Sequence, residues 1–262
     1  MVHIFHNLHT MTILEQRNLI RRLLDSTSPT DAPTAYYALF HTPAKSALTV
    51  QTDDAGRAVG FVADCRTGID LFRSLITLRC VDTATQAAAE IAADLLQQAL
   101  TPNRSYILFA SADQIANTGG SLQLDTVRTL HIYQLDRARF EPVINVLVKE
   151  RTSPDGSPRC VIETEGRRAL AGVNWQSPRF AEIFVHTDAA ARQRGWGISV
   201  TSALTQMLLA SGRTPIYLVE PENEASRNLA EKLGYVDTGA QQIYADVVYL
   251  GHPGAHDNSE MT

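Results

Sequence analysis

The chain has only three cysteines, Cys65, Cys80 and Cys160. Their odd count and wide spacing, without a CxxC pair, exclude a disulfide framework and a cysteine zinc site. Free, buried thiols in a reducing cytoplasm are the expectation. No apolar run reaches the roughly 18 residues a membrane helix needs. The start, Met-Val-His-Ile-Phe-His, lacks the basic segment and apolar stretch of a signal peptide, so no membrane partner is expected. Basic residues are not in excess: 23 Lys and Arg stand against 28 Asp and Glu, a net charge of -5. Without a basic stripe a nucleic-acid binder is excluded as a first reading. A mildly acidic surface suits an amine substrate, as it suits solubility alone. Glycine and proline number 15 and 11, too few for a collagen-like or low-complexity chain. His3, His6 and His9 recur every third residue, but no acid or cysteine completes a site there, and no metal is expected.

What is present is an ordinary globular balance, 44% hydrophobic and 19% charged, over 262 residues. That length allows one large domain or two small ones. Apolar periodicity predicts helices over residues 14–24, 84–100, 140–150, 198–210 and 223–233, the last closed by Gly234 in the left-handed cap position. Strand patterns cover 36–41, 47–51, 58–63, 71–80, 106–109, 127–135, 180–187, 216–219 and 243–250. Residues 160–164 and 168–175 read as a hairpin across Glu165-Gly166.

The two halves share a rhythm of strand, loop, helix, short linker and buried strand. Six positions separate Leu100 from Tyr106, and six separate Ala210 from Ile216. This reads as a diverged internal duplication, although strand–helix–strand units are common in α/β proteins. The expected division is 1–126, 127–250 and a flexible tail over 251–262, with the boundary near 125–140 its softest point.

Only the second half keeps a glycine loop, Arg192-Gln-Arg-Gly-Trp-Gly197, between a strand and a helix. The first amides of a helix lack intrahelical partners and carry the positive end of its dipole. Gly195 and Gly197 admit close backbone approach, and Arg192 and Arg194 add charge, so a phosphate or pyrophosphate is the natural guest. No Gly-Lys-Ser/Thr follows, so this is not a P-loop, and the GxGxxG spacing is absent.

With its surroundings, the stretch 160–249 resembles the catalytic core of the GNAT acyltransferase superfamily. Glu182-Ile-Phe-Val-His-Thr187 is similar to the family's fourth strand, Arg192–Gly197 to its pyrophosphate loop, and 220–235, with Asn223 opening a helix that ends in Leu-Gly-Tyr, to the signature after its fifth strand. The resemblance implies an α/β fold with a mixed central sheet flanked by helices, two tandem GNAT-like domains, and fourth and fifth strands that splay apart to admit the pantetheine arm of acetyl-CoA. It implies coenzyme contacts from Val185, His186 and Thr187, from Arg192, Gln193, Arg194, Gly195, Trp196, Gly197 and Ile198, and from Asn223 and Ser226. Asn223 could equally cap its helix.

The implied activity is transfer of an acetyl group to a primary amine, on a small molecule or a peptide. A general base must neutralise the amine. Glu182 is the first candidate, because apolar neighbours raise a carboxylate's pKa, and Glu220 is the second. His186 is a weaker one. Many members carry an acidic Tyr seven residues after the Asn, where this chain has Ala230. That departure favours the alternative, a non-catalytic acyl-CoA-binding or regulatory module. Oligomeric state stays open, a homodimer included.

Overall fold

The computed structural model describes residues 11–252. The histidines at 3, 6 and 9 and most of the expected tail lie outside them. Among the described residues no helix is long and apolar enough to cross a membrane. The three cysteines are free and buried, and burial pushes each thiol up to about 12.

The chain forms two compact units, residues 1–129 with 241–262, and residues 130–240. The expected boundaries were 126/127 and 250/251. In the structure the chain passes between units inside two long strands, β5 (Leu122–Leu135) and β11 (Tyr235–Tyr249). The last strand is therefore shared between the units, which no local pattern could show.

In the first unit α1 (Ile13–Ile20) opens with a capping box, Thr12 and Glu15 each bonding the other's backbone amide, a device that stabilises by about 1 kcal/mol. Strands β1 (Ser46–Thr52), β2 (Ala58–Cys65) and β3 (Leu75–Cys80) form an antiparallel meander. Helix α3 (Gln86–Ala99) then crosses over to β4 (Ser105–Ser111), parallel to β3. Residues 242–248 of β11 pair antiparallel with β4. Val62, Ile76, Leu78 and Leu108 from the sheet pack with Ala92, Leu95 and Leu96 of α3.

The second unit repeats this scheme. Strands β6 (Lys149–Thr152), β7 (Pro158–Thr164), β8 (Arg167–Gln176) and β9 (Phe180–Thr187) run antiparallel. The β7–β8 turn places Glu165 and Gly166 both at positive φ, as a tight hairpin requires. Helix α4 (Trp196–Ala210) crosses to β10 (Thr214–Val219), parallel to β9, and α5 (Glu224–Lys232) follows. Residues 131–134 of β5 pair antiparallel with β10. The first unit's sheet thus takes in the end of a strand that chain order assigns to the second copy.

Three local expectations fail. Residues 36–41 are not a strand: α2 (Ala32–Ala35) runs into a π-helical turn, Tyr36–Phe40. Pro33 presets the first helical turn, and a short apolar run buried on several sides carries no period to distinguish helix from strand. Residues 140–148 form no helix. Pro142 removes a donor, and α4 supplies partners instead: Val143 donates its amide to Ser202 Oγ at 2.8 Å, and the Asn145 side chain donates to Ser199 Oγ at 3.2 Å. The strand expected from residue 71 begins at Leu75, because the Asp70 carboxylate accepts the amides of Phe72 and Arg73 and holds a turn there.

Candidate acyl-transfer site

Pairing between β9 and β10 runs from Phe180↔Thr214 to Ile183↔Tyr217 and then stops. Strand β9 continues to Thr187 on its β8 side alone. From Phe184 onward its other edge faces the opening between diverging strands, which is the splay the resemblance implies. At the mouth of that opening Gln193 and Gly195 adopt left-handed backbone, φ 59° and 73°, and turn the chain into α4. A Cβ at Gly197 would stand 3.1 Å from Thr187 Oγ1 and 3.4 Å from Leu229 Cδ1. Glycine there keeps the loop within reach of the β9 edge.

These elements enclose a cleft of about 700 Å³, within the range of small-molecule sites. Its lining takes in Val185, His186 and Thr187 from β9, Arg192, Gln193, Gly195, Trp196, Gly197 and Ile198 from the loop, and Asn223 and Ser226 from α5. Arg194 is the exception. It is exposed and outside the lining, and its guanidinium lies 5.9 Å from the Trp196 ring centroid. Asn223 caps α5, its Oδ1 accepting the Ser226 amide at 3.1 Å, so the capping role is realised beside the cleft.

Glu182 sits on β9 three residues before the cleft's first lining residue. Opposite it the pairing of β8 shifts between Val173 and Trp175, a bulge at Asn174. A bulge sets two residues against one. Asn174 Nδ2 donates to Glu182 Oε1 at 2.9 Å. Burial pushes the Glu182 carboxyl up to about 7, and hydrogen bonds from Asn174 and Trp175 oppose that rise. Glu220 follows β10, and its carbonyl accepts the Asn223 amide at 2.9 Å. Ala230, where the resemblance places a tyrosine acid, is fully buried.

The sequence did not single out Asn174, Trp175 or Tyr217. The Tyr217 hydroxyl donates to Ser226 Oγ at 3.1 Å, and burial, with the nearby Glu182 charge, raises its pKa. The only available signal was Asn174-Trp175 interrupting the alternation of a hairpin strand next to an acid-bearing one.

The first unit diverges in the same way and is plugged. Pairing of β3 with β4 ends at Ile76↔Leu108. Beyond it, Gln114 and Asn117, both fully buried, come from the 3-10 segment Ala112–Thr118. Gln114 Oε1 accepts the Cys80 amide at 2.8 Å, and Asn117 Oδ1 accepts the Ala84 amide at 2.9 Å. Two backbone donors at this opening are thus taken by the unit's own side chains.

Comparison with known proteins agrees with this geometry. The chain has the GNAT fold in tandem form. Residues 164–244 match a family described as FR47-like protein, a GNAT-related domain. A GCN5-related N-acetyltransferase-like protein from Streptococcus suis is similar in structure at 20% identity, covering 89% of this chain and 99% of that one, with a TM-score of 0.54. A Drosophila protein matches at 11% identity over 91% and 96% of the two chains, TM-score 0.63. A tandem GNAT protein from the clavulanic acid biosynthesis pathway matches at 11% identity over 90% and 94%, TM-score 0.55. No curated protein matches the chain in sequence.

Proposed function

We propose that the protein is an acyl-CoA-dependent N-acyltransferase that moves an acetyl group from acetyl-CoA to a primary amine. The observation that carries this reading is the open edge of β9, Phe184–Thr187, ending in a glycine loop at a helix start. An extended pantetheine arm can add to that edge as a strand would. The amides of Gly197 and Ile198, at the start of α4, suit its pyrophosphate. The coenzyme supplies a thioester whose carbonyl the amine attacks, and the C–S bond breaks as the C–N bond forms. Glu182 takes the proton the amine loses. Its carboxyl, held near neutrality, is poised for that transfer. The thiolate leaves with a proton from water, since Ala230 offers none.

The test is a panel of primary amines with acetyl-CoA, read as free thiol release, alongside the thermal shift that acetyl-CoA produces. Binding lost when Gly195 and Gly197 are both replaced by valine supports the site; unchanged binding overturns it. The buried Ala230 favours one second reading, a module that binds acyl-CoA without turning it over. Binding of acetyl-CoA without thiol release from any amine would establish that reading.

A further inference from the structure

The first unit holds a second cleft, of about 850 Å³, with no part in the chemistry above. It opens at the start of β1, the end of β2 and the starts of β3 and β4. Its charges separate into two groups. Arg73 is fully committed: it bonds Asp70 at 2.8 Å and Asp246 at 2.6 Å. The other three cations lining the cleft, Lys45, Arg66 and Arg104, have no carboxylate partner among the described residues. In a chain of net charge -5, three such cations around one cleft form a local anion site.

Of the two carboxylates lining the cleft, Asp70 pairs with Arg73 and Asp64 stands apart. Asp64, on β2, is flanked by Ala47 on β1 and Ile76 on β3, neither of which offers a side-chain donor. Its Oδ1 is shielded from solvent and accepts no hydrogen bond. A shielded carboxylate oxygen without a donor is costly, and it is satisfied when a guest brings one. At the rim, Leu71 and Phe72 are 89% and 87% exposed. Two large apolar side chains at the mouth of a charged cleft can be covered by an apolar guest.

We propose that this cleft binds a small zwitterion with an apolar body, of the α-amino acid or short-peptide class. Its ammonium donates to Asp64 Oδ1, its carboxylate meets Lys45, Arg66 and Arg104, and its apolar part covers Leu71 and Phe72. A simple anion would leave Asp64 unpaired, and a simple amine would leave three cations unused. The site lies wholly within the first unit, and its occupancy does not depend on coenzyme.

Calorimetry on the full chain with three probes tests this. L-Phenylalanine carries both charges, 2-phenylethylamine only the ammonium, and 3-phenylpropanoate only the carboxylate. Phenylalanine is expected to bind at least tenfold more tightly than either of the others. Asp64→Asn should remove that advantage over 3-phenylpropanoate by weakening phenylalanine, while 3-phenylpropanoate binds no more weakly than before. Lys45→Ala, at an exposed position where folding is not at stake, should weaken phenylalanine and 3-phenylpropanoate alike and spare 2-phenylethylamine. Failure of phenylalanine to bind, equal affinity for all three probes, or equal weakening of all three by Lys45→Ala overturns the proposal.

Discussion

The Asn174 side-chain amide donates to the Glu182 carboxylate across a bulge between β8 and β9, at 2.9 Å. A donor favours the charged form, so this bond opposes the burial that lifts the carboxyl to about 7. If Glu182 is the base, activity rises with pH through about 7, because only the ionised carboxylate accepts a proton. Glu182→Gln should lower kcat by roughly 10²–10⁴-fold, the usual contribution of a general base, with acetyl-CoA affinity changed less than twofold. A kcat within threefold of the parent would remove Glu182 from the mechanism.

Asn174→Ala separates positioning from catalysis. Without the amide the carboxyl pKa rises further, so the acid limb of the kcat/KM profile should move to higher pH. The plateau rate at high pH should recover most of the original value. A uniform loss at every pH, with the limb unmoved, would mean that Asn174 only shapes the strand.

The same carboxyl links stability to pH. Its folded pKa, about 7, lies above the ordinary 4.5. The stabilising contribution of its protonated form is therefore complete below about 4.5 and is lost as pH rises through 7. Glu182→Gln should raise Tm relative to the parent at pH 8, and the difference should vanish near pH 4.5. Thermal melts of both proteins across that range check the sign.

Much of the second unit's site is legible in sequence because its parts are local. A glycine loop, an Asn that opens a helix and a strand bearing Glu182 each occupy a few consecutive residues with a recognisable pattern. Residues 36–41 and 140–150 depart from their local pattern because their conformation is decided elsewhere. The first is set by packing on a buried segment, the second by Ser199 and Ser202 of α4, which take the place of helical partners. The place of β11 in the first unit is invisible for the same reason: its partner β4 lies more than a hundred residues away and leaves no local period. Gln114 and Asn117 read as polar loop residues, since nothing in their neighbours indicates burial against Cys80 and Ala84.

That last pair makes the final prediction. Gln114 and Asn117 occupy the Cys80 and Ala84 amides, two donors at the place where a coenzyme would enter the first unit. Calorimetry should give one acetyl-CoA per chain. Asn117→Ala would leave the Ala84 amide and the Asp82 carbonyl without their partner. Both groups belong to exposed residues, where water can replace the lost partner, so the loss is about 0.5–1.5 kcal/mol per bond and Tm should fall by a few degrees. The stoichiometry should stay at one, because the loop before α3 has no glycine or arginine to hold a pyrophosphate in place of the lost side chain. A second equivalent bound by the parent protein would show that the plug yields to the coenzyme, and the first unit would then count as a second binding domain.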